Sequence, residues 1–167
     1  MPEISDNYEI TGFFYNPNID DAAEYELRRA EMEKYAGTLG IPLVCGKYDS
    51  ESWKEAVKGL EHIPEGGARC EVCFRYRLEE TARYAEENNF DLYGTTLTLS
   101  PLKNAKKINQ IGGESCENLT AKYLDSDFKK KDGYKKSVQR STENGLYRQN
   151  YCGCSYGKKI QDERNRK

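Results

Sequence analysis

The sequence predicts an α/β protein built on a parallel β-sheet, and three observations support this. Short apolar runs typical of buried strands occur at residues 9–15, 41–45 and 91–97. Helical hydrophobic spacing lies between these runs, and strand–helix alternation is typical of a parallel sheet. Turn residues separate the elements, as at residues 16–18. We therefore expect a single α/β domain over residues 1–157, with a helical C-terminal part.

Capping residues and hydrophobic spacing define the predicted helices. Asp20 or Asp21 is expected to cap a helix that ends near Leu39, before Gly40. A second helix is predicted over residues 50–62, and a third from the first cysteine pair to about Asn88. The stripes at helical spacing are Met32, Tyr35, Ala36 and Leu39, then Trp53, Ala56, Val57 and Leu60, then Phe74, Leu78, Ala82 and Ala85.

The two ends of the chain carry separate expectations. Residues 4–8 resemble the end of a helix rather than a strand. Residues beyond about 100 are expected to form helices and loops. The basic segment 158–167 is expected to be a flexible tail.

Composition is that of a folded protein of the cytoplasm. The chain has 167 residues, of which 37% are hydrophobic and 32% charged, enough for one domain with a real core. It contains no apolar stretch near twenty residues and no secretory signal pattern at its N-terminus. We expect no membrane association and a cytoplasmic location. Reducing cytoplasm makes the six cysteines ligands or redox groups rather than disulfides.

Charge is distributed unevenly along the chain. Residues 1–100 carry a net charge of −10 and residues 101–167 a net charge of +8. A basic half suggests a face that meets a polyanion, whereas the alternative is an ordinary solvated surface. Thirteen tyrosines, some beside basic residues, favour nucleic acid, because aromatic rings stack on bases.

Two short cysteine pairs are the main chemical feature. The first pair is Cys70 and Cys73, at the start of the third predicted helix, where the helix dipole favours thiolates. The second pair is Cys152 and Cys154, separated by Gly153, which lets both sulfurs face one ion. Together they predict a four-sulfur site for zinc, iron or an iron–sulfur cluster. The alternatives are a redox dithiol, a zinc ribbon or plain buried thiols.

The other reactive residues are expected to be structural. Cys45 and Cys116 are predicted to be packed core thiols, and the only histidine, His62, a surface residue, which argues against histidine-based chemistry. Residues 95–104 offer hydroxyls and Pro101 at a predicted helix start, which with Lys103 could bind phosphate. The alternative is that these hydroxyls only cap a helix.

Four segments resemble a known family in order and spacing. They are residues 13–19 (FFYNPNI), 69–78 (RCEVCFRYRL), 95–104 (TTLTLSPLKN) and 147–156 (YRQNYCGCSY). On these segments the chain is identified as a member of the cobalamin-independent epoxyqueuosine reductases. The resemblance extends from about residue 9 to residue 156.

The resemblance implies a fold, cofactors and a reaction. The fold would be a three-layer, nucleotide-hydrolase-like (HUP or Rossmann-like) parallel sheet. A [4Fe–4S] cluster and an additional iron ion would lie at Cys70, Cys73, Cys152 and Cys154. The reaction would remove the epoxide oxygen of epoxyqueuosine in tRNA, with two electrons and two protons. The iron would act as a Lewis acid and the cluster would relay electrons.

Partners follow from the same resemblance and from charge. No flavin or nicotinamide motif is present, so an external electron donor is expected. We expect a monomer that binds tRNA through its basic half. The residues predicted to contact tRNA are Lys103, Lys106, Lys107, Lys135, Lys136, Arg140 and Arg148.

The chain departs from the family pattern at its N-terminus. Members open with an apolar strand and an adjacent Cys-Cys pair, and this chain starts within the helix that follows. We therefore expect a truncated or degenerate form, poorly stable and inactive until that strand is restored. Two alternative functions are compatible with parts of the pattern. One is a non-catalytic RNA-binding domain in which four cysteines hold one zinc ion, and the other is an adenylating tRNA sulfur-transfer enzyme. The second of these functions requires an N-terminal glycine-rich phosphate loop, which this sequence does not contain.

Overall fold

The structure is mixed α/β, with two small parallel sheets and six α-helices among the residues it describes. The computed structural model describes residues 7–166, without the side chains at positions 160, 161, 164 and 165. The elements are β1 (Gly12–Phe14), α1 (Ala22–Thr38), β2 (Leu43–Cys45), α2 (Ser50–Ala56), α3 (Ala68–Glu87), β3 (Leu92–Tyr93), a 3₁₀ helix (Thr96–Leu99), α4 (Ala105–Glu114), β4 (Lys122–Tyr123), α5 (Gly133–Glu143) and α6 (Ser155–Asn165).

Parallel pairing is confirmed, but the strands form two pairs. β1 pairs with β2, with Phe13 opposite Val44, and β3 pairs with β4, with Tyr93 opposite Tyr123. In the described residues neither pair is hydrogen-bonded to the other. The prediction of an α/β chain with parallel strands is therefore correct, whereas the three predicted strands do not form one continuous sheet.

The strands are shorter than the apolar runs that predicted them. The third run stops at Tyr93 because the Thr95 hydroxyl accepts a hydrogen bond from the Leu97 amide and the chain turns into the 3₁₀ helix. β4 was not predicted, since two residues are too few to produce a period-two pattern.

The helices confirm the predicted order with changed limits. Asp21 caps α1 by accepting hydrogen bonds from two amides, and Gly40 follows with φ of 64°. The predicted stripe on α1 is partly wrong, because Met32 and Leu39 are exposed. α2 ends at Ala56, six residues before the predicted end.

Helix α3 contributes residues to two of the three core clusters. Its residues Phe74, Leu78, Ala82 and Ala85 pack in one core cluster with α4 and β3, as predicted for its inner face. Cys73, in the second turn of α3, packs in a second cluster with Trp53 and Val57. A third cluster, centred on Phe14, Ile19 and Tyr25, lies on the β1–β2 side. The start of α3 is consequently fixed by packing against α2.

At the C-terminus the secondary structure differs from the prediction, and most of the N-terminal prediction falls outside the described residues. The predicted tail overlaps α6, which is helical to Asn165, and its mobility stays a prediction. Most of the helix end expected at residues 4–8 lies outside the described residues, and residues 7 and 8 form a turn and a bend. No helix in residues 7–166 is long and apolar enough to cross a membrane.

Candidate metal centre

The first cysteine pair lies in the first two turns of α3. Gly67 is the N-cap residue, and Cys70 and Cys73 are the third and sixth residues of the helix, as predicted. The Gly66 amide donates a hydrogen bond to the Cys70 sulfur over 3.3 Å. Cys73 is buried, and burial raises the pKa of its thiol. Cys70 is thus half-buried and hydrogen-bonded, and Cys73 faces the interior.

The second cysteine pair forms a tight turn before α6. Gly153 has φ of 107°, a conformation that side-chain-bearing residues rarely adopt, and an added Cβ would lie 2.6 Å from Ile19. The sulfurs of Cys152 and Cys154 are 3.4 Å apart without a disulfide bond. The Gly157 amide donates to the Cys154 sulfur over 3.3 Å. Gly153 therefore brings both sulfurs to one side of the turn, as predicted.

The hydrogen bond between these two thiols favours a thiolate at one of them. The hydrogen bond from the Cys154 thiol lowers the pKa of Cys152 to about 6, against the opposing effect of burial. The same hydrogen bond, with burial, raises the pKa of Cys154. One thiolate at this pair is consequently favoured at neutral pH, and thiolate is the form that binds metal.

Contacts across more than a hundred residues hold the second pair in place. The Asn18 side-chain amide donates to the Cys152 carbonyl over 3.0 Å. The Asp20 carboxylate accepts from the Ser155 amide over 2.9 Å, which caps the start of α6. The Arg28 guanidinium donates to the Tyr151 carbonyl over 3.3 Å and lies 5.0 Å from the centre of the Tyr151 ring. The loop after β1 and helix α1 thus position the second pair.

The fold brings both cysteine pairs to one cavity. The cavity has a volume of about 130 Å³, and all four cysteines line it. Cys73, Cys152 and Cys154 also pack with Trp53 in one apolar cluster. Within the described residues no three Cys, His, Asp or Glu side chains are already arranged around a common point for a metal ion. Convergence of the pairs is therefore observed, and ligation of metal by them stays a prediction.

The chemistry of the cavity fits an anionic sulfur-bound group. Besides the sulfurs, its lining includes four cationic side chains, those of Arg69, Arg77, Lys103 and Lys107, and two carboxylates, those of Glu65 and Glu71. Three buried polar atoms of its lining have no hydrogen-bond partner in the protein: Asn18 Oδ1, Trp53 Nε1 and Arg69 Nη2. Buried polar groups are rarely left unpaired in native proteins. The excess of cationic side chains and the two N–H donors, Trp53 Nε1 and Arg69 Nη2, suit an anionic sulfur-bound group.

The remaining cysteines and the histidine do not line this cavity. Cys116 is buried in the core cluster of α3 and α4, as predicted. The prediction for Cys45 is wrong, because it is exposed at the end of β2, with its sulfur 3.7 Å from the Glu33 carboxylate. A strand of only three residues leaves its last side chain at the surface. His62 is exposed, as predicted.

The basic residues predicted to bind tRNA fall into two groups. Lys103 and Lys107 line the cavity, and Lys107 Nζ lies 3.5 Å from the Glu71 carboxylate. Lys106 is exposed on α4 beside them. The others do not line the cavity: Lys135, Lys136 and Arg140 are on α5, and Arg148 is in the loop that follows.

The predicted phosphate-binding helix start is displaced. α4 begins at Ala105 rather than at Pro101, and the Asn104 side chain caps it by accepting from the Lys107 amide. The hydroxyl of Ser100 accepts from the Leu102 amide. The alternative reading, hydroxyls that cap local structure, therefore describes this segment better.

Several residues of the cavity were not predicted as site residues, among them Asn18, Trp53 and Arg69. Asn18 and Arg69 lie inside two of the four family-like segments, so those segments already pointed to them. Trp53 was seen only as part of a helix stripe. Its place against the cysteines depends on packing between α2 and α3, which local sequence does not reveal.

Comparisons with known proteins agree on one family. The family model described as "Epoxyqueuosine reductase QueH" matches residues 1–160. A relative from Streptococcus pyogenes serotype M1, named epoxyqueuosine reductase QueH, is 41% identical over 159 residues, covering 92% of this chain and 62% of the relative. A relative of the same name from Thermotoga maritima is 40% identical over 147 residues, covering 86% of this chain and 77% of the relative.

A third relative shows the same extent of similarity. The protein of that name from Haemophilus influenzae is 35% identical over 154 residues, covering 92% of this chain and 63% of the relative. The chain thus spans less than two thirds of the length of the Streptococcus and Haemophilus relatives and about three quarters of the Thermotoga one.

Proposed function

The chain belongs to the epoxyqueuosine reductase QueH family, and we propose that it reduces epoxyqueuosine in tRNA to queuosine. The reaction takes two electrons and two protons, breaks both carbon–oxygen bonds of the epoxide, and releases the oxygen as water. The observation that carries this proposal is the convergence of both cysteine pairs on one cavity with a cationic lining.

Cys70, Cys73, Cys152 and Cys154 are proposed to hold a [4Fe–4S] cluster and an additional iron ion. Their sulfurs are of the type that both groups use as ligands, and the N–H donors around them suit thiolate. When bound, these groups would supply single-electron transfer and Lewis acidity for an oxygen atom. An external reductant would supply the electrons.

The lysines at the cavity provide charge and protons. The side chains of Lys103 and Lys107 both line the space that a substrate must enter. Lys107 Nζ lies 3.5 Å from the carboxylate of Glu71, which also lines the cavity. We assign to Lys103 and Lys107 the binding of the phosphate beside the modified nucleoside, and to one of these two side chains the delivery of one of the two protons to the epoxide oxygen.

The remaining parts of the proposal concern tRNA, location and fold. tRNA would lie along α4 and α5, whose exposed lysines can neutralise phosphates. Maturation of tRNA supports the expected cytoplasmic location, and a monomer is proposed. The parallel pairing of both strand pairs supports the three-layer, nucleotide-hydrolase-like arrangement.

The test is a turnover assay under anaerobic conditions. The complete gene product is reconstituted with iron and sulfide, supplied with a strong reductant and epoxyqueuosine-containing tRNA, and the tRNA is digested to nucleosides. We expect several queuosines per protein, loss of this activity in Cys154→Ser, and retained activity in Cys45→Ser, whose thiol lies outside the cavity. An iron-loaded protein that forms no queuosine would overturn the proposal, and tight zinc binding without iron uptake would favour the RNA-binding alternative.

A further inference from the structure

Unpartnered hydrogen-bond donors are concentrated at the cysteine cavity. Among the described side chains, four buried polar atoms lack a partner, and three of them belong to residues that line this cavity. Two of the three are donors, Trp53 Nε1 and Arg69 Nη2. Since a buried N–H without an acceptor is costly, donors gathered at one cavity indicate an acceptor that the polypeptide itself does not supply.

Trp53 is buried and packed against the cysteines. The side chain is 1% exposed and packs against Cys73 and Cys154 in one cluster. Trp53 also lines the cavity together with all four cysteines. No acceptor meets hydrogen-bond geometry with this N–H in the described structure. The donor is therefore close to the sulfurs and available.

Arg69 is a buried cation without a carboxylate partner among the described residues. Its side chain is 1% exposed, and Nη1 donates to the carbonyls of Glu61 and Ile63. The guanidinium lies 5.3 Å from the centre of the Tyr156 ring. These contacts fix the orientation of the side chain and leave Nη2 unpaired. A buried guanidinium needs a compensating negative charge, and thiolate ligands with an iron–sulfur core provide one.

The two donors extend a pattern that the backbone already begins. The Gly66 and Gly157 amides donate to the sulfurs of Cys70 and Cys154. Hydrogen bonds to sulfur stabilise the more negative, reduced state of a cluster and thereby raise its reduction potential. Two further donors, one of them charged, would raise it more.

We propose that Trp53 Nε1 and Arg69 Nη2 donate hydrogen bonds to the sulfur atoms of the group held by the four cysteines, and so set its reduction potential. This inference rests on the proposed binding of an iron–sulfur group. Both residues are positioning residues, since they act through the sulfurs and not on the substrate.

The first experiment is a redox titration of the reconstituted protein followed by electron paramagnetic resonance. Trp53→Phe removes the N–H and keeps most of the aromatic bulk. We expect iron content as in the wild type and at least a tenfold lower ratio of reduced to oxidised cluster at the wild-type midpoint, a shift of about 59 mV for one electron. Arg69→Lys is expected to shift the midpoint in the same direction.

The matched control is Tyr156→Phe, which removes a hydroxyl from a ring packed against Trp53 in the same cluster. We expect no shift in the midpoint. An unchanged midpoint in an iron-loaded Trp53→Phe protein would overturn the inference, and so would an equal shift in Tyr156→Phe, which would indicate altered packing. A wild type that takes up no iron would instead defeat the proposed function itself.

The second experiment needs no variant, because Trp53 is the only tryptophan in the chain. Protein labelled with ¹⁵N at the indole nitrogen is reconstituted, reduced and studied by pulsed electron paramagnetic resonance. We expect a weak ¹⁵N coupling and an exchangeable proton coupling from this one indole. Absence of both couplings in a reduced, iron-loaded protein would contradict the proposal even if Trp53→Phe fails to fold.

Discussion

Gly153 determines how two cysteines only two positions apart can serve one cavity. Its φ of 107° places the sulfurs of Cys152 and Cys154 on the same side of the turn, 3.4 Å apart. The absence of a Cβ also lets the turn pack against Ile19 and the Arg28 guanidinium. One glycine thus fixes both the direction of the sulfurs and the contact with the β1–α1 loop.

Replacing this glycine should therefore damage the proposed metal centre. We expect Gly153→Ala to lower the free energy of unfolding by about 2 kcal/mol or more, because the new methyl group meets Ile19 in a strained backbone conformation. Iron content after reconstitution should fall by at least half. Gly145→Ala is the control, because Gly145 also has positive φ, of 59°, but open space around it. Equal unfolding energies and equal iron contents for the two variants would contradict this account.

At the level of single residues, the sequence identified the sulfurs but not their surroundings. The spacing of the cysteines and the glycine between them follow directly from local chemistry. The donors around the sulfurs do not, since the burial of Trp53 and the missing partner of Arg69 arise from packing between α2, α3 and the loop before α6. Cys45 was misjudged for the same reason, because exposure at a strand end depends on neighbouring elements.

Helix α3 links the cysteine cavity at its start to the β3–β4 pair at its end. Near its C-terminus the Glu86 carboxylate accepts hydrogen bonds from the amides of Thr120 and Ala121, over 2.8 and 3.0 Å. These residues lead directly into β4. Glu86 therefore holds the start of this strand, and the bond to the Ala121 amide is the main cause of its lowered pKa.

The lowered pKa gives a pH dependence of known sign. Stability from ionised Glu86 is fully present above the ordinary pKa of 4.5 and is lost as pH falls through the lowered value. We expect Glu86→Gln to unfold at lower urea concentration than the wild type at pH 7, and the difference to shrink as the pH falls further below 4.5. Glu117→Gln, at an exposed position, serves as the control. A difference that grows toward acid pH would show that the charge of Glu86 is not the cause.

Helix α4 approaches β4 closely through one glycine. A Cβ on Gly112 would lie 2.3 to 2.6 Å from atoms of the Tyr123 ring. That ring is fixed by its hydroxyl, which donates to Asn109, and by its contact with Tyr93. The next residue, Gly113, has open space around the same position.

These adjacent glycines should respond to alanine in opposite directions. Gly112→Ala should lower the free energy of unfolding by about 1–3 kcal/mol through overpacking. Gly113→Ala should raise it by about 0.5–1 kcal/mol, because alanine loses less conformational entropy in a helix. Chemical denaturation of both variants measures the difference. A stabilised Gly112→Ala protein would show that α4 does not approach Tyr123 this closely.

At the level of elements, the order of the strands and helices up to β3 could be predicted from the sequence. Their first and last residues, and which strands pair, could not. The strand–helix alternation indicated the parallel geometry. The short β4 carries too few residues for a periodic pattern. The buried face of α1 includes Arg28, which is ion-paired with Glu24 and bonded to Tyr151, so hydrophobic spacing alone misplaced that face.

For the whole molecule, the acidic and basic halves of the chain meet at the cysteine cavity. Asn18 and Trp53 come from the acidic half, and Lys103 and Lys107 from the basic half. A tRNA whose modified nucleoside enters this cavity would place its backbone along the lysines of α4. The charge asymmetry of the sequence therefore predicts that the tRNA backbone lies on the α4 side of the cavity.

Binding of tRNA should therefore depend steeply on salt and on α4. We expect the triple change Lys103→Glu, Lys106→Glu and Lys107→Glu to weaken binding at least tenfold at low salt. The slope of log affinity against log salt should fall in magnitude by up to about 3, one for each phosphate that the variant no longer neutralises. A triple change to Glu at Lys34, Lys47 and Lys58, in the acidic half, is the control. Equal affinities for both variants would exclude α4 as the tRNA surface.

The most direct test of the central claim, that four cysteines hold one iron–sulfur site, is the iron and acid-labile sulfide content of the anaerobically reconstituted chain. We predict that iron and sulfide bind together, and that Cys70→Ser, Cys73→Ser, Cys152→Ser and Cys154→Ser each lose at least half of both. Cys45→Ser should bind as the wild type does, because its thiol is exposed away from the cavity. Iron and sulfide contents unchanged in all four cavity variants would contradict the claim.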